Sequence, residues 1–218
     1  TVVRGRSSTT IAVNSVIKNT YMLLAATLLF SAATAYLGMY QNTGNVSWLT
    51  FLGSFGLLFA TQAFSNSVWG LPLIFGFTGL MGYSLGPMLN FYINTFSNGS
   101  QLVMGAMGST GVIFLGLSGY ALTTRKEFSF LGGFLFVGLL VVLCATLANI
   151  FFQWPAMQLA ISSGMILLMS GYILYDTSRM IHGGQRNYIL ATIELYLNIF
   201  NLFVHILHIL GSLAGRRD

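Results

Sequence analysis

Two long stretches of the chain contain no Asp, Glu, Lys, Arg or His: Asn19 to Thr124, 106 residues, and Phe128 to Tyr175, 48 residues. Within them apolar runs of helical length alternate with short clusters of turn-forming residues. These clusters are Gln41-Asn-Thr-Gly44, Trp69-Gly-Leu-Pro72, Ser97-Asn-Gly-Ser100 and Gln153-Trp-Pro155. A helix needs about 20 apolar residues to cross the hydrocarbon of a bilayer, so the first stretch holds about four crossings and the second two. A seventh apolar run follows His182-Gly-Gly184. The pattern predicts helices over 20–40, 47–65, 71–93, 101–122, 130–152, 157–180 and 188–212. The expected fold is therefore all-α, a polytopic membrane protein of seven transmembrane helices, with residues 1–19 as a polar, mobile cytoplasmic tail and residues 20–218 as one transmembrane domain.

Charge supports the same count. Only 6% of the residues are charged, against about 25% in a soluble domain, too few to build a water-facing surface. Four crossings and then two are both even numbers, so Lys18, the Arg125-Lys126 pair, Arg179 and Arg186 return to one side. With Arg4 and Arg6, seven of the nine basic residues lie there, and the positive-inside rule makes that side cytoplasmic. A full seventh crossing places Arg216, Arg217 and Asp218 outside, against the rule; a re-entrant last helix is the alternative that removes the conflict. Trp48, Trp69 and Trp154 fall at expected helix ends, where interfacial aromatics belong. The first helix has a basic flank, an apolar core from Met22 to Phe30 and small residues at Ala33 to Ala35, and is read as an uncleaved signal-anchor. Cys144 is alone, which excludes an internal disulfide or cysteine-based metal site. The sequence pI near 9.6 reflects the cytoplasmic loops, whose partner is anionic lipid rather than nucleic acid.

Candidate chemistry is confined to three helices. The third carries Gly76, Gly79, Gly82 and Gly86 at intervals of three or four, followed by Pro87. Small residues on one face let another backbone approach closely, so a packing seam is the expectation, with a kink at Pro87. On the seventh helix Glu194, Asn198, Asn201, His205, His208 and Ser212 are spaced 4, 3, 4, 3 and 4 apart, which puts them on one face. From Glu194 to His208 this stripe runs roughly 21 Å at 1.5 Å per residue. It must turn away from lipid, so the helix is expected at the centre of the bundle. Asp176 on the sixth helix is expected at the depth of Glu194. Two neighbouring carboxyls in a low dielectric cannot both ionise cheaply, which makes a pH-sensitive latch and a cation site. The bland alternative is that both acids bond to backbone or to Tyr172, Tyr175 and Tyr196. His205 and His208 suit a proton relay; a metal pair lacks a third ligand. No phosphate loop, zinc-protease helix or nucleophile elbow is present, so an enzyme is not expected.

Several motifs in one order carry a resemblance across the whole chain. They are Ile17-Lys-Asn-Thr-Tyr21, Phe77-Thr-Gly-Leu-Met-Gly-Tyr-Ser-Leu-Gly-Pro87, Thr124-Arg-Lys-Glu-Phe-Ser-Phe-Leu-Gly-Gly133, Ile173-Leu-Tyr-Asp-Thr177 and Leu195-Tyr-Leu-Asn-Ile-Phe-Asn-Leu-Phe203. Together they resemble the Bax inhibitor-1 family, in its bacterial branch. The resemblance implies a multi-pass protein of the bacterial inner membrane, seven helices with the last at the centre, and two functional themes. One is binding to and restraining a membrane-anchored AAA protease of the FtsH type in membrane protein quality control. The other is a pH-sensitive leak with calcium as the permeant ion and no resident cofactor, held shut by an Asp on the sixth helix paired with an Asp on the seventh. Asp176 matches the first acid. The second aligns with Asn198, a departure that favours the protease theme.

Overall fold

The computed structural model describes residues 2–40 and 48–215. The Gln41–Gly44 turn, the side chains of Arg4, Arg6 and Trp48, and the terminal Arg216, Arg217 and Asp218 lie outside the described residues. Seven helices follow one another: α1 (Val2–Tyr40), α2 (Trp48–Ala63), α3 (Gly70–Thr95), α4 (Gly99–Thr124), α5 (Leu131–Phe152), α6 (Pro155–Ile181) and α7 (Tyr188–Ala214). Six match the expected limits within a few residues. Helix α1 begins much earlier than residue 20, so the backbone of the polar segment is helical, while its apolar span starts at Val13.

Five helices, α1, α4, α5, α6 and α7, are long and apolar enough to cross a bilayer by themselves. Helix α2 has only 16 residues. Helix α3 is long but diluted by glycine, hydroxyl and amide side chains, and it buries Ile74, Phe77, Thr78, Gly79, Gly82 and Gly86. A helix covered by protein on that face does not need the hydropathy of one facing lipid. Helix α5 is the opposite case: of its 22 residues only Leu135 is buried, and Phe134, Phe136, Val141 and Phe151 are exposed. On a water-soluble protein such a face would aggregate; here it is the surface that lipid covers.

The helix ends follow local chemistry. Gln153 adopts the left-handed conformation at the end of α5, and Pro155 opens α6, where its missing N–H is no loss. At the end of α6 Gly183 has φ 74°, and the amides of Gly183 and Gly184 donate back to the carbonyls of Met180 and Arg179, closing a Schellman turn. Asn187 caps α7: its Oδ1 accepts from the amides of Ile189 at 2.9 Å and Leu190 at 3.3 Å.

The chain divides into two compact units, Thr1–Asn94 with Gln185–Tyr196, and Thr95–Gly184 with Leu197–Asp218. The first thus contains α1, α2, nearly all of α3 and the start of α7. Its α1 and α3 meet backbone to backbone. A Cβ at Gly86 would fall on the main chain of Gly38, one at Gly82 on the Ser31 carbonyl, and one at Gly79 2.6 Å from the Phe30 ring. Pro87 cannot donate to the Tyr83 carbonyl, and that oxygen lies against Gly38. Gly76 is outside this approach; a Cβ there would meet only the Leu57 side chain, at 3.6 Å, an ordinary contact. Tyr196 of α7 is buried in the same unit, its hydroxyl bonded to Ser31 at 2.7 Å and donating to the Thr78 carbonyl at 3.2 Å. Thr192 donates to the Thr20 carbonyl on α1.

The second unit contains α4, α5, α6 and the rest of α7. Helix α6 packs on both α4 and α5, with Leu168 against Gly138 and Leu135 against Gly171. Ser178 anchors the α4–α5 loop to α6, accepting from the Phe128 amide at 2.9 Å and donating to the Lys126 carbonyl at 3.2 Å.

The two kinds of glycine should respond oppositely to substitution. Gly86→Ala forces α1 and α3 apart and should cost about 1–3 kcal/mol, whereas Gly76→Ala should be neutral or gain a few tenths to about 1 kcal/mol from helix propensity. Thermal unfolding of the two variants in one detergent measures the difference; equal midpoints would show that the seam is not close-packed.

Candidate functional site

The polar stripe of α7 is the candidate site. Around it α7 buries Ile189, Ile193, Leu195, Ile199, Leu202, Ile206 and Leu207, so the polar residues sit on the most enclosed helix of the chain, as ionisable groups at membrane depth require. The stripe is held differently in the two units.

In the first unit Glu194 is half-buried, and its Oε1 accepts from Nε2 of Gln185 at 3.2 Å. Gln185 is itself buried, and its Oε1 accepts from the Asn187 amide. Asn187 reaches on to the α2–α3 connection, where its Nδ2 donates to the Ser65 carbonyl and to Asn66 Oδ1. The carboxyl of Glu194 is thereby tied to the turn that starts its own helix.

In the second unit Asp176 is 5% exposed and accepts from Nδ2 of Asn198 at 2.7 Å. Arg179, one turn along α6, has a guanidinium nitrogen 3.9 Å from the same carboxylate and stacks over the Tyr175 ring at 5.5 Å. The two acids belong to different units, and each has its own amide partner. Farther along α7, Nδ1 of His208 and Nδ1 of His205 lie 3.1 Å and 3.3 Å from the Ser162 hydroxyl of α6. Asn201 donates to the Leu197 carbonyl and Ser212 to that of His208, so both are satisfied within their own helix. Tyr196, a suggested partner for the acids, has its hydroxyl on Ser31 and the Thr78 carbonyl instead.

The residues named from the sequence supply the α7 side of the candidate site and Asp176; Gln185 and Ser162, which face it, were not named. Gln185 and Ser162 carry no signal of their own, since one reads as a turn residue and the other as one membrane serine among many. The stripe itself held the clue: a polar face at membrane depth needs polar partners, and α6 offers several, Ser162 and Asp176 among them.

With the geometry in place, the comparisons decide the lineage. The family model described as Inhibitor of apoptosis-promoting Bax1 matches residues 13–215. The chain belongs to the Bax inhibitor-1 family. Similar members of this family include the modulator of FtsH protease YccA of Escherichia coli K12, 47% identical over 204 residues, 92% of this chain and 91% of that one. The inner membrane protein YccA of Escherichia coli O6:H1 gives the same figures. An uncharacterised membrane protein of Vibrio cholerae is 48% identical over 93% of this chain and 91% of its own length. The Bax inhibitor-1 member described here is accordingly a multi-pass inner membrane protein.

Asn198→Leu removes the donor to a buried carboxylate and should cost about 1.5–3 kcal/mol. Asn198→Asp replaces it with a second acid. Two carboxylates in contact cannot both be ionised cheaply, so this variant should be less stable than the parent at pH 8 and regain stability as the pH falls and one of the pair takes a proton. Unfolding midpoints from pH 5 to 8 test both, and a parallel pH response of parent and Asn198→Asp would remove Asn198 from the site.

Proposed function

We propose that this protein binds and modulates a membrane-anchored AAA protease of the FtsH type, acting as a non-catalytic partner in membrane protein quality control. The observation that carries this reading is the similarity to YccA, a modulator of FtsH protease, along nearly the whole of both chains. The Asn198 amide against Asp176 supports it from the site. It supplies a fixed contact between α6 and α7, where a proton-operated gate would need two acids.

The reading includes an orientation. We place the N-terminus in the cytoplasm and the C-terminus in the periplasm, because seven of the nine basic residues fall on alternate connections; Lys18, Arg125, Lys126 and Arg186 are exposed. The segment before Val13, with Arg4 and Arg6, then lies on the side where an AAA ring works. A pH-sensitive calcium leak is the second reading, favoured by the burial of Asp176 at membrane depth.

A tagged chain purified from native membranes should carry the protease with it. Removal of residues 1–12 should change both its own turnover and its effect on degradation of a membrane substrate. Absence of the protease from the purified material, together with calcium flux into liposomes that differs between pH 6 and pH 8, would reverse the order of the two readings. A reporter fused after Asp218 should be active in the periplasm, and cytoplasmic activity would favour a re-entrant α7.

A further inference from the structure

Ser162, the hydroxyl that meets both histidines of the stripe, is 2% exposed on α6 of the second unit. Its oxygen lies within hydrogen-bond distance of Nδ1 of both His205 and His208. A hydroxyl has one proton, so it donates to only one ring at a time. The other contact is a hydrogen bond only if that ring carries its own proton on Nδ1. With the hydroxyl donating to one ring and accepting from the other, the neutral cluster holds its two imidazoles in opposite tautomers, linked in one direction from Nδ1–H to Oγ–H to Nδ1. One ring then has a bare Nε2 and the other a protonated one.

Among the described residues of the second unit, the charged side chains on the helices that pack here lie well away along the chain. Helix α4, in contact with α7 where Gly105 faces Leu210, carries Tyr120 as its one titratable side chain, and α5 carries Cys144. On α6 the titratable residues Tyr172, Tyr175, Asp176 and Arg179 begin ten residues beyond Ser162, about 15 Å along the helix. On α7 the acid Glu194 precedes His205 by eleven residues, about 16 Å. Among these described residues, none places an ion beside one ring that would fix the direction of the chain.

We propose that Ser162, His205 and His208 form a proton relay within the membrane, in which an excess proton is handed from one imidazole to the other through the Ser162 hydroxyl. The proton binds at the bare Nε2 of the first ring. That ring gives its Nδ1 proton to the serine oxygen as the serine gives its own proton to Nδ1 of the second ring. The second ring, now doubly protonated, releases its Nε2 proton. One proton enters, one leaves, and the chain is left pointing the other way until the next transfer or a ring flip resets it. The two histidines are three residues apart, so each transfer carries charge about 4.5 Å along α7. The relay is independent of the protease reading and stands or falls separately from it.

The chain has three histidines, and His182 in the α6–α7 turn serves as a reference, which makes nitrogen-15 histidine spectra in lipid nanodiscs readable. The two α7 rings should show opposite tautomers above their titration and should titrate as one coupled pair. Ser162→Ala should uncouple them, and Ser162→Thr, which keeps the hydroxyl, should restore the coupling. In liposomes with a clamped potential and an internal pH dye, the parent should pass protons, with about a hundredfold loss in Ser162→Ala and in His208→Gln, on the scale of a positioned proton donor. Like tautomers on both rings, independent titration in the parent, no proton flux in the parent, or equal flux in parent and Ser162→Ala would each overturn the relay. Size-exclusion profiles and helical signal confirm that the variants compared are folded.

Discussion

Polar side chains at membrane depth have to find partners away from lipid, and on α7 they line up along one face. The six polar positions from Glu194 to Ser212 share a face of α7, and exposing an ionisable group to hydrocarbon costs several kcal/mol by most measures. The helix contributes to both units. The first gathers α1, α2 and α3 on the stretch ending at Tyr196, and the second gathers α4, α5 and α6 on the stretch beginning at Leu197. A helix whose polar face is satisfied on both stretches cannot be withdrawn from either without stranding donors and acceptors.

Within the first unit the enclosure depends on glycine. The close approach of α1 and α3 at Gly38, Gly82 and Gly86 brings Ser31 and the Thr78 carbonyl to the Tyr196 hydroxyl. A Cβ at these positions would widen the gap and leave a buried phenol without bonds it now makes. Dispersion, hydrogen bonding and the absence of side chains thus act together, since lipid provides little hydrophobic drive for one helix to leave it for another.

Much of this is legible in the residues alone. Charge-free stretches, their even crossing numbers and the turn clusters fix six of seven helices within a few residues, because the bilayer imposes a length and allows no unpaired backbone. The 4, 3, 4, 3, 4 spacing identifies the polar face of α7, which is buried at Asn198 and partly buried elsewhere. What the sequence did not reveal is which residues answer that face. Counting from the turn put Asp176 opposite Glu194, whereas the resemblance paired it with position 198, and its amide donor is Asn198. Counting along a hairpin gives depth to within a turn and says nothing of rotation about the helix axis, which packing decides. The start of α1 escaped because polar residues ahead of a span carry no hydrophobic period, so nothing distinguishes helix from coil there.

The exchange of a carboxylate for an amide at position 198 has a chemical logic beyond the loss of a charge. An acid pair is joined by a shared proton, and the contact changes when that proton leaves. An amide offers a donor at Nδ2 and an acceptor at Oδ1, so Asn198 can donate to Asp176 when it is ionised and accept from it when it is protonated. The same two side chains remain bonded in either state. The α6–α7 contact at this point is then insensitive to pH where a diacid would be sensitive. A protein that must hold a constant face toward a membrane partner gains from that insensitivity, and one that must open on protonation would lose by it. In the relay proposed above, the α6–α7 contact that responds to protonation is the one at His205, His208 and Ser162, where the bonds depend on which nitrogen carries the proton.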